Sequence, residues 1–63
     1  MKQFNIGDRV TYNPGYKKEH GVVKSVASDG NYFVVYNCGG EWEHYHDYTA
    51  AKTPADDLYY GWF

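Results

Sequence analysis

The chain has 63 residues, a net charge of −2 at neutral pH and a pI of about 5.8. This length holds one domain, which we assign to residues 1–63, and the single cysteine excludes an internal disulfide. The negative charge argues against a general phosphate-binding surface, and no apolar run is long enough to span a membrane.

Aromatic residues make up 21% of the chain, as eight tyrosines, three phenylalanines and two tryptophans. A domain of this size buries only about 60% of the surface that its unfolded chain exposes, so some rings must lie at the surface. Exposed Tyr and Trp are enriched at binding interfaces. The composition therefore favours a binding protein with an aromatic surface cluster.

Turn-forming residues divide the chain into short runs that are rich in Val, Tyr, Phe and Trp. These runs predict strands at residues 9–12, 21–27, 32–36 and 42–46, with a short fifth strand at 48–51. No long segment shows apolar residues at helical spacing. Short strands separated by turns indicate an all-β domain, either a barrel or a sandwich.

A single helical turn is expected near the C-terminus. Thr53 is a potential N-cap, Pro54 suits the first helical position, and Asp56 and Asp57 suit the first turn. We expect Leu58 and Trp62, which follow this turn, to pack back on the domain, because a small domain gains stability by burying large apolar side chains.

The second and third strands contain the main candidates for the core. Residues 32–36 are apolar on both faces, so either another element covers the outer face or this face is an interaction surface. Val23 and Val26 share a face only if a bulge separates them. The expected core residues are Val10, Val23, Phe33 and Val35.

Two motifs carry a family resemblance. Residues 4–12 (Phe-x-Ile-Gly-Asp-x-Val-x-Tyr) and residues 21–26 (Gly-Val-Val-x-Ser-Val) resemble the opening of Tudor-like and KOW-like SH3 barrels. The aromatic pattern from residue 32 to Trp62 is similar to a group of small bacterial and phage or prophage proteins. The resemblance implies a five-stranded SH3-like barrel. Tudor domains bind methylated Lys or Arg in aromatic cages, and KOW modules bind RNA or ribosomal and polymerase partners through basic loops, which this chain lacks.

Aromatic side chains flank two of the predicted loops. Tyr12 and Tyr16 flank the first loop, whereas Tyr36 and Trp42 flank the third. In SH3-like barrels these loops are neighbours, so the sequence predicts one cluster with acidic residues at its rim. Such a cluster suits a Lys or Arg side chain. The predicted ligand-binding residues are Tyr12, Tyr16, Tyr36, Glu41, Trp42, Glu43 and Tyr45.

The favoured function is a non-catalytic binding module that recognises a protein or peptide partner with a basic side chain. The alternative is a single-stranded nucleic-acid-binding module, in which rings stack on bases, but the sequence offers no evident positive groove. We expect a cytoplasmic protein, because it has a lone thiol and no export signal. Strand edges at residues 42–46 suggest a weak homodimer.

A further alternative is metal binding by Cys38, His44 and His46, because His-x-His on a strand places both imidazoles on one face. The chain has no second thiol, so we expect no metal, no cofactor and a fold that survives chelation. Cys38 and His44 also suggest a nucleophile and its base. A 63-residue barrel leaves little room for a water-excluding pocket, and we expect no enzyme activity.

Overall fold

The computed structural model describes residues 2–63, which form five antiparallel strands, two short 3₁₀ helices and their connecting turns. The all-β class is therefore confirmed. In chain order the elements are β1 (Arg9–Tyr12), β2 (Glu19–Val26), β3 (Tyr32–Val35), the first 3₁₀ helix (Trp42–Asp47), β4 (Ala51–Thr53), the second 3₁₀ helix (Ala55–Asp57) and β5 (Leu58–Tyr60).

The five strands form one sheet in the order β4-β3-β2-β1-β5. Within residues 2–63, no ladder joins the edge strands β4 and β5, so the sheet is open and the expected closed barrel is not formed. The edge strands have only three residues each, which leaves little backbone with which to close a ring of strands.

The segment predicted as the fourth strand is instead the first 3₁₀ helix. Trp42, Tyr45 and Tyr48 are partly buried, whereas the residues between them are exposed. This spacing of three matches the three residues per turn of a 3₁₀ helix. The strand edge expected to pair two copies of the chain at residues 42–46 is therefore absent.

The other elements lie close to their predicted positions. β1 has the predicted bounds, β2 begins two residues before its predicted start, and β3 ends one residue before its predicted end. The predicted fifth strand overlaps β4 at Ala51 alone. The predicted helical turn is confirmed at Ala55–Asp57, and β5 follows it directly, which the sequence did not indicate.

One face of the sheet, here called the inner face, carries the main hydrophobic core. Phe4 closes this core: its ring meets Tyr32 edge-on at 5.2 Å, and its backbone N–H donates to the Tyr32 hydroxyl at 3.0 Å. Strands from both halves of the chain therefore contribute to one core. Its buried members are Phe4, Val10, Val23, Tyr32, Val34 and Leu58.

The opposite, outer face is also covered. Thr11, Val22 and Val35 are buried there, because they alternate with inner-face residues along their strands. The first 3₁₀ helix lies against β2, and the C-terminal residues 61–63 cross the sheet beside it. This cover explains why β3 is apolar on both faces.

The core predictions hold except at one position. Val10, Val23, Val35 and Leu58 are buried, and Trp62 packs back on the sheet by donating its indole N–H to the Gly21 carbonyl at 3.0 Å. Phe33 is only half-buried. It lies beside a register shift between Val23 and Ser25, which is the bulge that a common face for Val23 and Val26 requires.

Candidate functional site

The inner face opens at one end into a cleft of about 270 Å³. Its walls are formed by side chains of β1, β2 and β4 and by Tyr36, which follows β3, and the loop that joins β1 to β2 forms its rim. We refer to this site as the inner cleft. Its lining residues are Tyr12, Lys17, Glu19, Tyr36, Ala51, Lys52, Thr53 and Pro54.

Two half-buried tyrosines form the aromatic wall of the inner cleft. The rings of Tyr12 and Tyr36 meet at 5.8 Å with an interplanar angle of 62°, and both pack against the core. The Tyr36 hydroxyl shares a hydrogen bond of 2.7 Å with the Thr53 hydroxyl. Burial raises the pKa of the Tyr36 hydroxyl above its ordinary value. The wall is therefore fixed by the fold itself.

An ammonium group already lies at the mouth of the inner cleft. The Nζ atom of Lys17 is 5.6 Å from the centroid of the Tyr12 ring and 3.0 Å from Oε1 of Glu19. The hydrogen bond to Glu19 raises the pKa of Lys17. A ring and a carboxylate thus face the same cation, which is the arrangement that recognises a basic side chain.

Tyr16 is 78% exposed and is not one of the lining residues of the inner cleft, but it lies beside Tyr12. Side-chain hydrogen bonding with Tyr16 raises the pKa of Tyr12. Tyr12, Tyr16 and Tyr36 are therefore the three predicted site residues that the fold brings together. Lys17 and Glu19 were not predicted as site residues, although their opposite charges, two positions apart at the end of the same loop, are a detectable signal.

The other predicted site residues lie elsewhere. Trp42, Glu43 and Tyr45 line a second cavity, of about 220 Å³, together with Arg9 and Val22 of the outer face. The sheet separates this cavity from the inner cleft, because the segment expected to form a fourth strand crosses the outer face as a helix. The single predicted cluster is therefore divided in two.

Glu41 belongs to neither cavity. Its carboxylate accepts a hydrogen bond of 2.7 Å from the Tyr48 hydroxyl, which raises the pKa of Tyr48. This bond links the start of the first 3₁₀ helix to the residue that follows its end. Glu41 thus supports the helix and makes no contribution to the wall of the inner cleft.

An unpredicted stack of rings and cations centres on Trp62. The imidazole of His20 stacks on its indole at 5.1 Å with an angle of 6°, and the guanidinium of Arg9 lies 4.6 Å from the ring centroid. Trp42 contacts the same indole at 4.9 Å. The sequence does not predict this stack, because its residues come from β1, β2 and the C-terminus and meet only once the sheet has formed.

The proposed metal ligands do not converge. Cys38 is buried, whereas His44 and His46 are exposed on the first 3₁₀ helix. His44 lies at a kink between two helical turns (φ −108°, ψ 23°), so the extended backbone that would place a His-x-His pair on one face is absent. Within residues 2–63, no group of three His, Cys, Asp or Glu side chains is placed to hold a metal ion.

No family model, curated protein or solved structure matches this chain. Among residues 2–63, no helix is both long enough and apolar enough to cross a membrane. The functional proposal is therefore based on the geometry of the inner cleft.

Proposed function

We propose that this protein is a non-catalytic binding module whose inner cleft accepts a basic side chain of a protein or peptide partner. The observation that carries the proposal is the Lys17 ammonium, which lies between the Tyr12 ring and the Glu19 carboxylate. A partner's Lys or Arg side chain would make the same two contacts. The cation–π contact contributes about 0.5–2 kcal/mol, depending on how fully the pair is desolvated.

Lys17 then competes with the partner's basic side chain for the contacts with Tyr12 and Glu19. Its side chain is 46% exposed, so it can leave the cleft for solvent at little cost. Lys52 also lines the cleft, but its ammonium pairs with Asp29 in the turn between β2 and β3. After Lys17 leaves, Glu19 is the free charge that faces the aromatic wall, and it favours a cationic ligand.

We also propose that the chain is an open variant of the Tudor-like and KOW-like SH3 barrels that its opening motifs resemble. The continuous five-stranded antiparallel sheet supports this assignment, as does the 3₁₀ turn before the last strand. The resemblance implies a cation-binding aromatic cage, and the Tyr12–Tyr36 wall supplies two rings for such a site.

A titration monitored by NMR tests the proposed function. The probe is a decapeptide of alternating Lys and Gly residues, and the control peptide has Gln in place of Lys. We expect the lysine peptide to shift the backbone amide signals of Tyr12, Tyr36 and Thr53. Equal binding of the two peptides would contradict the proposal, as would shifts confined to the outer face.

Three substitutions at the cleft should change the affinity for the lysine peptide in different directions. Tyr16→Ala and Glu19→Gln should each weaken binding several-fold, because they remove an exposed ring and the carboxylate partner of the cation. Lys17→Gln should tighten binding, because it removes the internal competitor.

The melting temperature should change little in Tyr16→Ala, because the ring is 78% exposed. Val26→Ala is the control for these variants, since this exposed residue lies at the opposite end of β2 from Glu19. If Tyr16→Ala lowers the melting temperature by many degrees, Tyr16 is a structural residue and the assignment of the rim is wrong.

A further inference from the structure

Most of the cationic side chains lie on aromatic rings. In residues 2–63, four of the six Lys and Arg side chains have a ring beneath the charge, and three of these rings belong to the C-terminal residues 59–63. Within the same described residues, no carboxylate lies within 4.0 Å of these three cations. The pairs are Lys2 with Tyr59, Arg9 with Trp62 and Lys18 with Phe63.

These pairs form one continuous strip on the outer face. The rings of Tyr59 and Phe63 meet edge-on at 6.2 Å, and the imidazole Nε2 of His20 is 3.1 Å from the backbone oxygen of Phe63. The register pairs Thr11 with both His20 and Tyr59, so these three side chains share a face. We define the C-terminal strip as Lys2, Arg9, Lys18, His20, Tyr59 and Phe63.

The rings of the strip remain accessible. Tyr59 is 41% exposed and Phe63 is 54% exposed, and the cations above them are flexible lysines, Lys2 at 3.6 Å and Lys18 at 5.1 Å from the ring centroids. Arg9 is different, because its guanidinium lies on an indole that His20 also stacks against. The strip therefore combines Arg9 with two lysines beside two accessible rings, and the Lys2 ammonium also donates to the Asp56 carbonyl at 3.2 Å.

The charge of the strip differs in sign from that of the chain. Several carboxylates are engaged elsewhere: Glu19 with Lys17, Asp29 with Lys52 and Glu41 with the Tyr48 hydroxyl. The acidic residues Glu43 and Asp56 border the strip: Glu43 lies across the cavity that it shares with Arg9, and the backbone carbonyl of Asp56 accepts a hydrogen bond from Lys2. A net charge of −2 for the whole chain thus conceals a cationic surface, which suits an anionic ligand.

We propose that the C-terminal strip binds single-stranded nucleic acid without strong sequence preference, in addition to the peptide binding proposed for the inner cleft. Two successive bases stack on Tyr59 and Phe63, while Arg9, Lys18 and Lys2 contact the phosphates. When the bases bind, the Lys2 and Lys18 side chains leave the ring faces and contact the phosphates of the nucleic acid instead. Open rings beside cations favour this ligand over an acidic peptide, which would use the charges and leave the rings exposed.

Fluorescence anisotropy with a fluorescein-labelled ten-residue oligothymidylate tests the proposal on the full chain. We expect binding at low salt that weakens steeply as ionic strength rises. Arg9→Gln and Lys18→Gln should each reduce the slope of log affinity against log salt by about one. Lys24→Gln is the charge-matched control and should leave the slope unchanged, because the Lys24 ammonium donates to the Tyr48 carbonyl away from the strip.

The contribution of the rings is tested separately. Phe63→Ala should lower the affinity for the oligonucleotide roughly tenfold with its salt slope unchanged, because stacking is lost while the phosphate contacts remain. A labelled ten-residue glutamate peptide is the competing probe. The proposal is overturned if the glutamate peptide binds as tightly as the oligonucleotide, or if the oligonucleotide fails to bind at low salt. It is also overturned if Lys18→Gln and Phe63→Ala both bind the oligonucleotide with wild-type affinity. Lys18 and Phe63 are exposed, so neither substitution should unfold the chain.

Discussion

Gly21 lies on the inner face of β2, where no side chain fits. A Cβ atom at this position would be 2.6 Å from a methyl group of Val34, 3.0 Å from the Tyr36 ring and 3.0 Å from the Val35 carbonyl oxygen. Because the oxygen belongs to a neighbouring strand, the contact cannot be relieved by side-chain rotation alone. The glycine therefore sets how closely β3 and the Tyr36 wall approach β2.

Gly21→Ala should lower the free energy of unfolding by about 1–3 kcal/mol, the usual cost of overpacking a core. Urea denaturation measures this change, and Ser25→Ala, a substitution at a less buried position of β2, is the control. A Gly21→Ala variant that unfolds at the wild-type urea concentration would show that β2 and β3 can separate without cost.

Tyr36 predicts a loss of stability at alkaline pH. Burial raises the pKa of its hydroxyl above the unfolded value of about 10, so the folded chain holds this proton more tightly than the unfolded chain does. Its contribution to stability is complete below the unfolded pKa and is lost as the pH rises through the folded pKa. Thermal unfolding followed across this range should show a steeper decline for wild type than for Tyr36→Phe. Parallel declines in the two proteins would exclude Tyr36 as the cause.

At the scale of elements, the sequence was informative where the signal was local. Turn residues at 5–8 and 13–15 bracket β1, which has its predicted bounds, and the spacing of Val23 and Val26 identified where β2 would need a bulge to place both on one face. The first 3₁₀ helix was missed because Trp42, His44 and His46 alternate with Glu43 and Tyr45 and were assigned to the two faces of a strand. Trp42, Tyr45 and Tyr48 carry the spacing of three that distinguishes the helix.

The 3₁₀ geometry of residues 42–47 also determines the expected response to metal. His44 and His46 are exposed on the kinked 3₁₀ helix, and Cys38 is buried. We therefore expect the melting temperature to be unchanged by EDTA and by one equivalent of zinc, since a metal that binds the native state preferentially would raise it. His44→Ala should behave like wild type in both solutions. A zinc-dependent increase that disappears in His44→Ala would contradict this expectation.

At the scale of the whole molecule, the sequence predicted the two rings of the aromatic wall of the inner cleft but not the stack of His20 and Arg9 on Trp62. Tyr12 and Tyr36 meet because β1 and β3 both flank β2, which the strand order of a meander already implies. The contact of Trp62 with Arg9 and His20 depends on where the chain turns after β5. Such long-range packing leaves no periodic pattern in the sequence, so the charge of the outer face was not predictable.

The C-terminal segment is anchored to β1 and β2. Leu58 is fully buried in the core, β5 pairs with β1, and the Thr11 hydroxyl donates to the Gly61 carbonyl at 2.7 Å. Trp62 adds a hydrogen bond to Gly21 of β2. Removal of one buried leucine side chain typically costs about 2–5 kcal/mol, which is a large part of the stability of a small domain.

Deletion of residues 58–63 should therefore abolish cooperative unfolding and leave the chain unfolded or aggregated. Circular dichroism on heating measures this outcome. Trp62→Ala should be milder, with a loss of about 1–3 kcal/mol, because the indole is only partly buried. Deletion of the exposed Phe63 alone is the matched control and should have little effect on the melting temperature. An unchanged melting curve after deletion of residues 58–63 would mean that β1 to β4 fold without the segment, which would then serve ligand binding alone.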